Sequence, residues 1–166
     1  MKRIQGGKDI ALVECINPRI KKYRVRWDIQ PYTEDNHDGV TFIEHEFGYK
    51  PSLDEIKDVI LSWYNKEIDK KIASEFVWNN LPVWLSSENQ FNYKAAYDLA
   101  IQTNGSNLPV TFKFGDTKNP VYYTFSTINE LTDFYVSAMM HIDATLKIGW
   151  KEKDNINWSV YESYLQ

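Results

Sequence analysis

This 166-residue chain has a single cysteine, no excess of basic over acidic residues, and few long apolar runs. The single cysteine, Cys15, cannot form a disulfide within the chain, so the sequence is compatible with a reducing compartment. The formal net charge is −4, whereas a general nucleic-acid binder usually carries an excess of positive charge. No run approaches the roughly 18 apolar residues that a membrane-spanning helix needs. We therefore expect neither nucleic-acid binding nor membrane insertion.

The composition is that of a globular protein, with 43% apolar and 25% charged residues. The length fits one domain or two small ones. The first residues contain no apolar segment of the length that a secretory signal peptide requires, so we expect synthesis and folding in a cytoplasm. Aromatic residues make up 15% of the chain, and such rings serve both cores and binding surfaces.

The first half of the chain has the pattern of three strands followed by a helix. Segments 10–16, 20–29 and 40–47 are β-compatible, and the second alternates apolar and charged residues as a half-buried strand does. Ser52 followed by Glu55 is a capping-box pattern that predicts the start of a helix. Apolar residues then recur at helical spacing, which predicts an amphipathic helix that packs on the core.

The second half has the order hairpin, helix, hairpin, helix. Each helix starts with a capping-box pattern, in which serine or threonine is followed three residues later by glutamate or glutamine. We expect the first helix to end near Thr103, the second to end or weaken at Gly149, and a short last helix to begin at Trp158. The capping pairs are Ser87 with Gln90 and Thr127 with Glu130, and the hairpins cover 76–84 and 110–125.

These patterns together predict an α+β fold. An N-terminal antiparallel β-meander with a long amphipathic helix is followed by a ββαββα half with helices packed on one face of the sheet. We place the boundary near Ser74, which gives domains 1–73 and 74–166. Because no glycine- or serine-rich linker marks this boundary, we expect the two halves to pack together.

No combination of residues indicates catalysis, a metal site or a cofactor. The three histidines lack the spacing of zinc ligands, and no glycine-rich loop bridges a strand and a helix. Cys15 lies within an apolar strand candidate, where a thiol is usually an inert small hydrophobe. We therefore expect a protein that is not an enzyme and that needs no cofactor. The histidines are His37, His45 and His141.

Two clusters of charge have structural explanations. An acidic cluster at the start of the first helix suits the helix dipole better than a catalytic role. A basic stripe on the second strand could contact an anion, but pairing with Glu44 and Glu46 of the next strand explains it better. The acidic cluster is Asp54, Glu55 and Asp58, and the basic stripe is Arg19, Lys21, Lys22, Arg24 and Arg26.

Aromatic side chains are the most informative feature of the second half. Tyr122 and Tyr123 must face opposite sides of an alternating strand, so we expect one of these rings on the surface. Exposed rings stack on sugars or anchor protein interfaces, whereas core packing is the simpler alternative for most of them. The candidate interface or ligand-stacking residues are Trp78, Trp84, Tyr93 and Tyr122.

A resemblance covers about residues 76–158. It is carried by Phe76-Val77-Trp78-Asn79, by segments 84–92, 108–112 and 122–127, and by the helix that bears Ala138, His141 and Ile142. This order of elements is similar to an uncharacterised domain family of bacteriophage and prophage proteins, found near or within tail-fibre and tail-assembly proteins. The resemblance carries over no catalytic residue, and residues 1–73 look like an additional N-terminal region.

The resemblance implies a non-enzymatic, tail-associated structural or assembly protein. Such a protein is made in a bacterial host, joins the virion, and binds other tail proteins or a second copy of itself. One alternative is a carbohydrate-binding module that recognises host glycans through exposed rings. A third hypothesis, a hydrolase of glycan polymers, requires two carboxylates that converge across a cleft at about 5–10 Å.

Overall fold

The computed structural model describes residues 1–34, 37–116 and 118–165. The fold is α+β, as the sequence predicts. No helix formed by the described residues has the length and apolar character needed to cross a membrane. The elements are β1 (Arg3–Gly6), β2 (Val13–Asn17), β3 (Lys22–Glu34), β4 (His37–Phe47), α1 (Leu53–Ser74), β5 (Val77–Trp78), β6 (Leu81–Pro82), α2 (Ser87–Gln102), β7 (Val110–Gly115), β8 (Pro120–Phe125), α3 (Ile128–Asp154) and α4 (Trp158–Leu165).

The chain forms two compact units. The first contains Met1–Tyr64 and Lys153–Gln166, and the second contains Asn65–Glu152. This division differs from the predicted domains because it falls within α1 and α3 and returns α4 to the first unit. The return of α4 has a clear cause, since Tyr161 is buried in the first core and its hydroxyl donates to the Arg26 carbonyl oxygen at 3.0 Å.

The first unit is built on a four-stranded antiparallel sheet with strand order β1-β4-β3-β2. The sequence predicts β2, β3 and β4 but not β1. Strand β1 is four residues long and mostly exposed, so its sequence shows no alternation of apolar and polar residues. It is a strand because its backbone pairs with β4, which is distant in sequence. A bulge interrupts β3 between Trp27 and Gln30, and Asp28 adopts a positive φ of 51° there.

One face of this sheet is buried against helices. Trp27 of β3 and Ile43 of β4 pack with Ile56 and Ile60 of α1 in one hydrophobic core. The predicted capping box that starts α1 is confirmed. The Ser52 amide donates to the Glu55 carboxylate at 2.8 Å, and the Glu55 amide donates to Ser52 Oγ at 3.3 Å.

The opposite face of the sheet carries cross-strand ion pairs, which confirms the predicted pairing for Lys22, Arg24 and Arg26 but not for the whole basic stripe. The Arg24 guanidinium lies 2.6 Å from the Glu46 carboxylate and 3.3 Å from that of Glu44. Hydrogen bonds from Lys22 and Arg24 lower the pKa of Glu46 to about 2. Arg19 and Lys21 lie in the turn before β3. We call the following set the ionic face: Glu14, Lys22, Arg24, Arg26, Glu44 and Glu46.

Arg26 is the most buried member of the ionic face, with 7% of its surface exposed. Its guanidinium lies 2.8 Å from the Glu14 carboxylate and 3.3 Å from that of Glu44. It also donates to the Ala11 carbonyl oxygen at 2.8 Å and lies 5.3 Å from the centre of the Phe42 ring. These contacts satisfy a charge that would otherwise be costly to bury.

Cys15 does not behave as the sequence predicts. Instead of being buried, it is exposed on β2. Strand β2 is at the edge of the sheet, and its pairing with β3 is interrupted by a bulge directly after Cys15. Of this strand, Val13 is the residue that reaches the core.

The second unit contains two hairpins and parts of three helices. The hairpins form separate two-stranded sheets, β5-β6 and β7-β8. Phe134 of α3 is fully buried and contacts rings from both hairpins and from α2, with centroid distances from 5.0 to 6.3 Å. The core of this unit is therefore largely aromatic.

The start of α2 differs by one residue from the prediction. Ser86, not Ser87, is the N-cap, and its Oγ accepts from the Asn89 amide at 3.3 Å. The Gln90 side chain donates to the Leu85 carbonyl oxygen and does not complete a capping box. Only Ser87 fits the capping-box pattern, because Asn89 lies three residues after Ser86, so the pattern selected the wrong one of two adjacent serines.

The predicted cap of α3 is half confirmed. Thr127 Oγ1 accepts from the Glu130 amide at 3.2 Å, but the Glu130 carboxylate accepts from the Tyr123 hydroxyl at 2.7 Å instead of closing the box. Gly149 does not end α3, which runs on to Asp154. Gly149 is buried, and a side chain at this position would overlap Ile68 of α1. The close packing of the two helices therefore explains why glycine stands here. The short last helix, α4, begins at Trp158 as predicted.

Candidate functional site

The structure divides the four predicted aromatic residues into two pairs. Trp84 is 54% exposed and Tyr122 is 70% exposed. Tyr93 is buried and Trp78 is partly buried, and both belong to the core of the second unit. Trp84 and Tyr122 are therefore the candidate interaction residues, and we call them the exposed rings.

Trp84 is held outside by its neighbours in sequence. Val83 and Leu85 on either side are each only 1% exposed, so the alternation of an extended segment turns Trp84 outward. The Val83 amide donates to the Phe76 carbonyl oxygen at 2.9 Å, and the Leu85 amide donates to that of Ala73 at 2.9 Å. The backbone that carries this ring is therefore fixed before any partner binds.

Tyr122 lies on the outer face of the hairpin formed by β7 and β8. It pairs across the strands with Lys113, while Tyr123 turns toward the core. The next outward pair, Thr111 and Thr124, is joined by a 2.8 Å hydrogen bond between hydroxyl groups. The prediction that Tyr122 faces away from Tyr123 is confirmed. The Tyr122 ring therefore has polar neighbours on a regular surface.

The inward pair has a structural role in this unit. The Trp78 ring lies 5.5 Å from Phe134, and its Nε1 is buried without a hydrogen-bond partner among the described residues. The Tyr93 ring lies 4.7 Å from Phe112 and 5.0 Å from Phe134. Burial raises the pKa of Tyr93 to about 12. Tyr93 is buried too deeply to stack on a ligand at the surface, and the ring contacts of Trp78 show that it also packs in the core.

The sequence reasoning missed several exposed apolar residues on the helices. Phe91 of α2 is 72% exposed, and on α3 Met140 is 67% exposed and Trp150 51% exposed. Helical periodicity could have predicted the exposure of Phe91, because Phe91 does not lie on the face of α2 that carries Tyr93 and Ala100 toward the core. Single exposed apolar residues are common on protein surfaces, and they indicate an interaction surface only when they form a contiguous patch.

The carboxylates and histidines form no reactive arrangement in the described part of the chain. Glu55 accepts hydrogen bonds from the Tyr49 hydroxyl and from Ser52, which lower its pKa. His45 packs edge-on against Phe47. His141 lies against Phe76. The side chain of His37 lies outside the described residues. Among the described residues, no three His, Cys, Asp or Glu side chains come close enough to hold a metal ion.

Two open clefts bear on the hydrolase hypothesis. A cleft of about 420 Å³ in the first unit contains one carboxylate, Asp154, and a cleft of about 470 Å³ in the second contains one, Asp69. Glycoside hydrolysis generally uses two carboxyl groups across a cleft. Among the residues that the structure describes, neither cleft is lined by such a pair.

Comparisons with known proteins do not add a relative to this picture. No protein-family model, no curated protein and no solved structure matches the chain. The resemblance to phage tail-associated proteins therefore stays a prediction, and the candidate surface is interpreted from its own geometry.

Proposed function

We propose that this chain is a non-enzymatic, tail-associated structural or assembly protein of a bacteriophage or prophage, acting through protein interfaces. The observation that supports this proposal is the exposure of Trp84 and Tyr122 on a fixed backbone beside a filled aromatic core. Large rings held in one orientation lose little conformational freedom on binding, and tryptophan and tyrosine are enriched among residues that dominate interface energy.

Covering the exposed rings would contribute free energy to an interface with a protein partner. An aromatic side chain buries about 150–250 Å² in full, and apolar burial stabilises by roughly 25 cal/mol per Å². With about half of the Trp84 surface exposed, covering this ring contributes on the order of 2 kcal/mol. Two such rings supply part of the free energy that a specific interface needs, and surrounding contacts supply the rest.

A carbohydrate-binding module remains the second candidate, because Tyr122 has polar neighbours. Lys113 lies opposite it, and Thr111 and Thr124 are next along the same face. Sugar-binding surfaces use rings together with hydrogen-bonding groups of this kind. The four predicted rings do not form a row, however, since Trp78 and Tyr93 belong to the core. For this reason we rank the protein interface first.

The test of the proposed function is incorporation into particles. The source phage or induced prophage is engineered to carry the wild-type chain, the double variant Trp84→Ser/Tyr122→Ser, or the control Ile20→Ser. Ile20 is 62% exposed in the first unit, so its change matches the others in polarity but not in location. Particles are purified on a density gradient and probed for the chain.

We expect the wild type and the control to sediment with particles, and the double variant to be depleted from them. A wild-type chain that stays at the top of the gradient would contradict the tail-associated proposal. If the chain also binds oligosaccharides on a glycan array, and loses that binding on Tyr122→Ser, the carbohydrate-binding alternative replaces it.

A further inference from the structure

Helix α3 has a second, outward stripe that its core packing does not use. The core side contributes Leu131, Phe134, Ala138 and Gly149. The outward stripe has alternating steps of four and three residues, which is the spacing of the contact positions of a coiled coil. We call this stripe the α3 seam, and its members are Val136, Met140, Asp143, Lys147 and Trp150.

All five side chains of the α3 seam are accessible. Val136 is 45% exposed, Met140 67% and Trp150 51%. The side chains of Asp143 and Lys147 are 60% and 66% exposed, and they form an ion pair at 2.6 Å within the helix. The seam therefore reads apolar, apolar, acidic, basic, apolar over roughly 22 Å of helix.

This order of residues is complementary to itself in one arrangement. The seam has two kinds of contact position, a and d of the heptad. When two copies of α3 pair antiparallel, each a position of one helix faces a d position of the other. In one register, Met140 faces Trp150 of the second copy and Asp143 faces Lys147 of the second copy. Two-fold symmetry repeats both contacts, which gives four consecutive layers with matched chemistry.

The other arrangements are mismatched. A parallel pair in register places Asp143 against Asp143 and Lys147 against Lys147, and like charges face to face oppose association. Moving the antiparallel pair by one heptad places Asp143 against Met140, which removes the solvation of a carboxylate without giving it a partner. The order of charges thus selects one orientation and one register.

We propose that the α3 seam is a self-association surface and that its occupant is α3 of a second copy of this chain. The proposal goes beyond the proposed function, because it names one interface and its occupant and stands on the order of residues in the seam. A pair of helices of this length buries less than the roughly 1,600 Å² of a standard stable interface, so we expect a weak dimer that is measured at micromolar concentrations. Such a dimer is suited to assembly at high local concentration.

Charge reversal provides the test, with sedimentation equilibrium of the full chain from about 1 to 500 µM as the measurement. The variants are Asp143→Lys, Lys147→Asp and the double exchange. Each single reversal is expected to weaken dimerisation about tenfold or more, because it places like charges against each other across the interface. The double exchange restores dimerisation, and so does an equimolar mixture of the two single variants.

The mixture separates an interface from a folding defect. Each single variant has the same charge repulsion within its own helix whether alone or mixed, so rescue on mixing requires contact between two copies. Met140→Glu is a further test and is expected to weaken dimerisation about tenfold, because it buries a charge in the seam. Ile148→Glu is its control, since Ile148 is 58% exposed on α3 but lies outside the seam.

A wild-type chain that stays monomeric up to about 500 µM would overturn this inference, as would a dimer that none of the seam variants alters. Neither result bears on particle incorporation, which is measured separately and depends on Trp84 and Tyr122. Conversely, a chain that dimerises through the seam but never sediments with particles leaves this inference standing and contradicts the tail-associated proposal.

Discussion

The two units treat their outer surfaces in opposite ways. The sheet of the first unit covers its solvent side with ion pairs drawn from its own strands, from Lys22–Glu46 to Arg26–Glu14. The second unit leaves apolar side chains outside, and among the described residues most of the large exposed ones belong to it. A surface that satisfies its own charges needs no partner, whereas exposed rings on a rigid backbone gain from one. We therefore propose the second unit as the part of the chain that binds a partner.

The largest effect is expected in the second unit, where a buried ring is compared with an exposed ring. Phe134→Ala removes a fully buried ring at the centre of the core and is expected to lower the free energy of unfolding by about 3–5 kcal/mol. Trp84→Ala is its matched control and is expected to cost about 2 kcal/mol or less, because about half of this ring is already exposed. Urea denaturation of both variants measures the difference. A large loss on Trp84→Ala would mean that this ring stabilises the fold and is not held for a partner.

The close approach of α1 and α3 within the second unit gives the next effect. Gly149→Leu forces a side chain into the space occupied by Ile68, and such overpacking costs about 1–3 kcal/mol. The control is Ala144→Leu, an exposed position on the same helix. Thermal and urea denaturation compare the two. Equal stability of Gly149→Leu and wild type would show that the helices are not packed as closely as described.

The first unit is tested at the buried member of its ionic face. Arg26→Ala leaves the carboxylates of Glu14 and Glu44 without this partner and is expected to cost about 1–3 kcal/mol. Arg19→Ala, in the exposed turn, is expected to have almost no effect. If both changes are neutral by urea denaturation, the ionic face contributes little and the contrast between the units weakens.

The smallest predicted effect is a pH dependence that belongs to the first unit. The folded-state pKa of Glu46 is lowered from its ordinary 4.5 to about 2, so its contribution is fully present above about pH 4.5 and is lost as the pH falls toward 2. Thermal unfolding between pH 7 and 2.5 should show this loss, and Glu46→Gln should reduce it. Some pH dependence remains in the variant, because the pKa of Glu55 is also lowered. An unchanged profile in Glu46→Gln would argue against the ion pairs of Lys22 and Arg24 with this residue.

Local sequence pattern was enough to predict much of the fold. The alternation of β3, the cap at Ser52 and the outward turn of Tyr122 follow from periods of two and 3.6 residues and from capping chemistry. These features depend on residues that are close together in sequence, so they can be predicted from the sequence alone. Strand β1 was missed because only its pairing with β4, more than thirty residues away, makes it a strand.

The candidate surface was harder to predict, because it depends on which face of each element is already covered. Trp78 and Trp84 look equivalent in sequence, yet Trp78 joins the core and Trp84 does not. Met140 is one residue from Met139, which packs against the core, and only the position of α3 separates their roles. Aromatic content therefore directed the prediction to the second unit, but the core had to be in place before the exposed residues could be chosen.

Hydroxyl-radical footprinting of the full chain, at low and at high concentration, tests the contrast between the units most directly. Methionine, tryptophan and tyrosine side chains report their own solvent exposure in this measurement. The account predicts that Met140 and Trp150 become protected as concentration rises, while Tyr49 of the first unit, 51% exposed, keeps its reactivity. Unchanged reactivity of Met140 and Trp150, or protection that appears at Tyr49 instead, would contradict it.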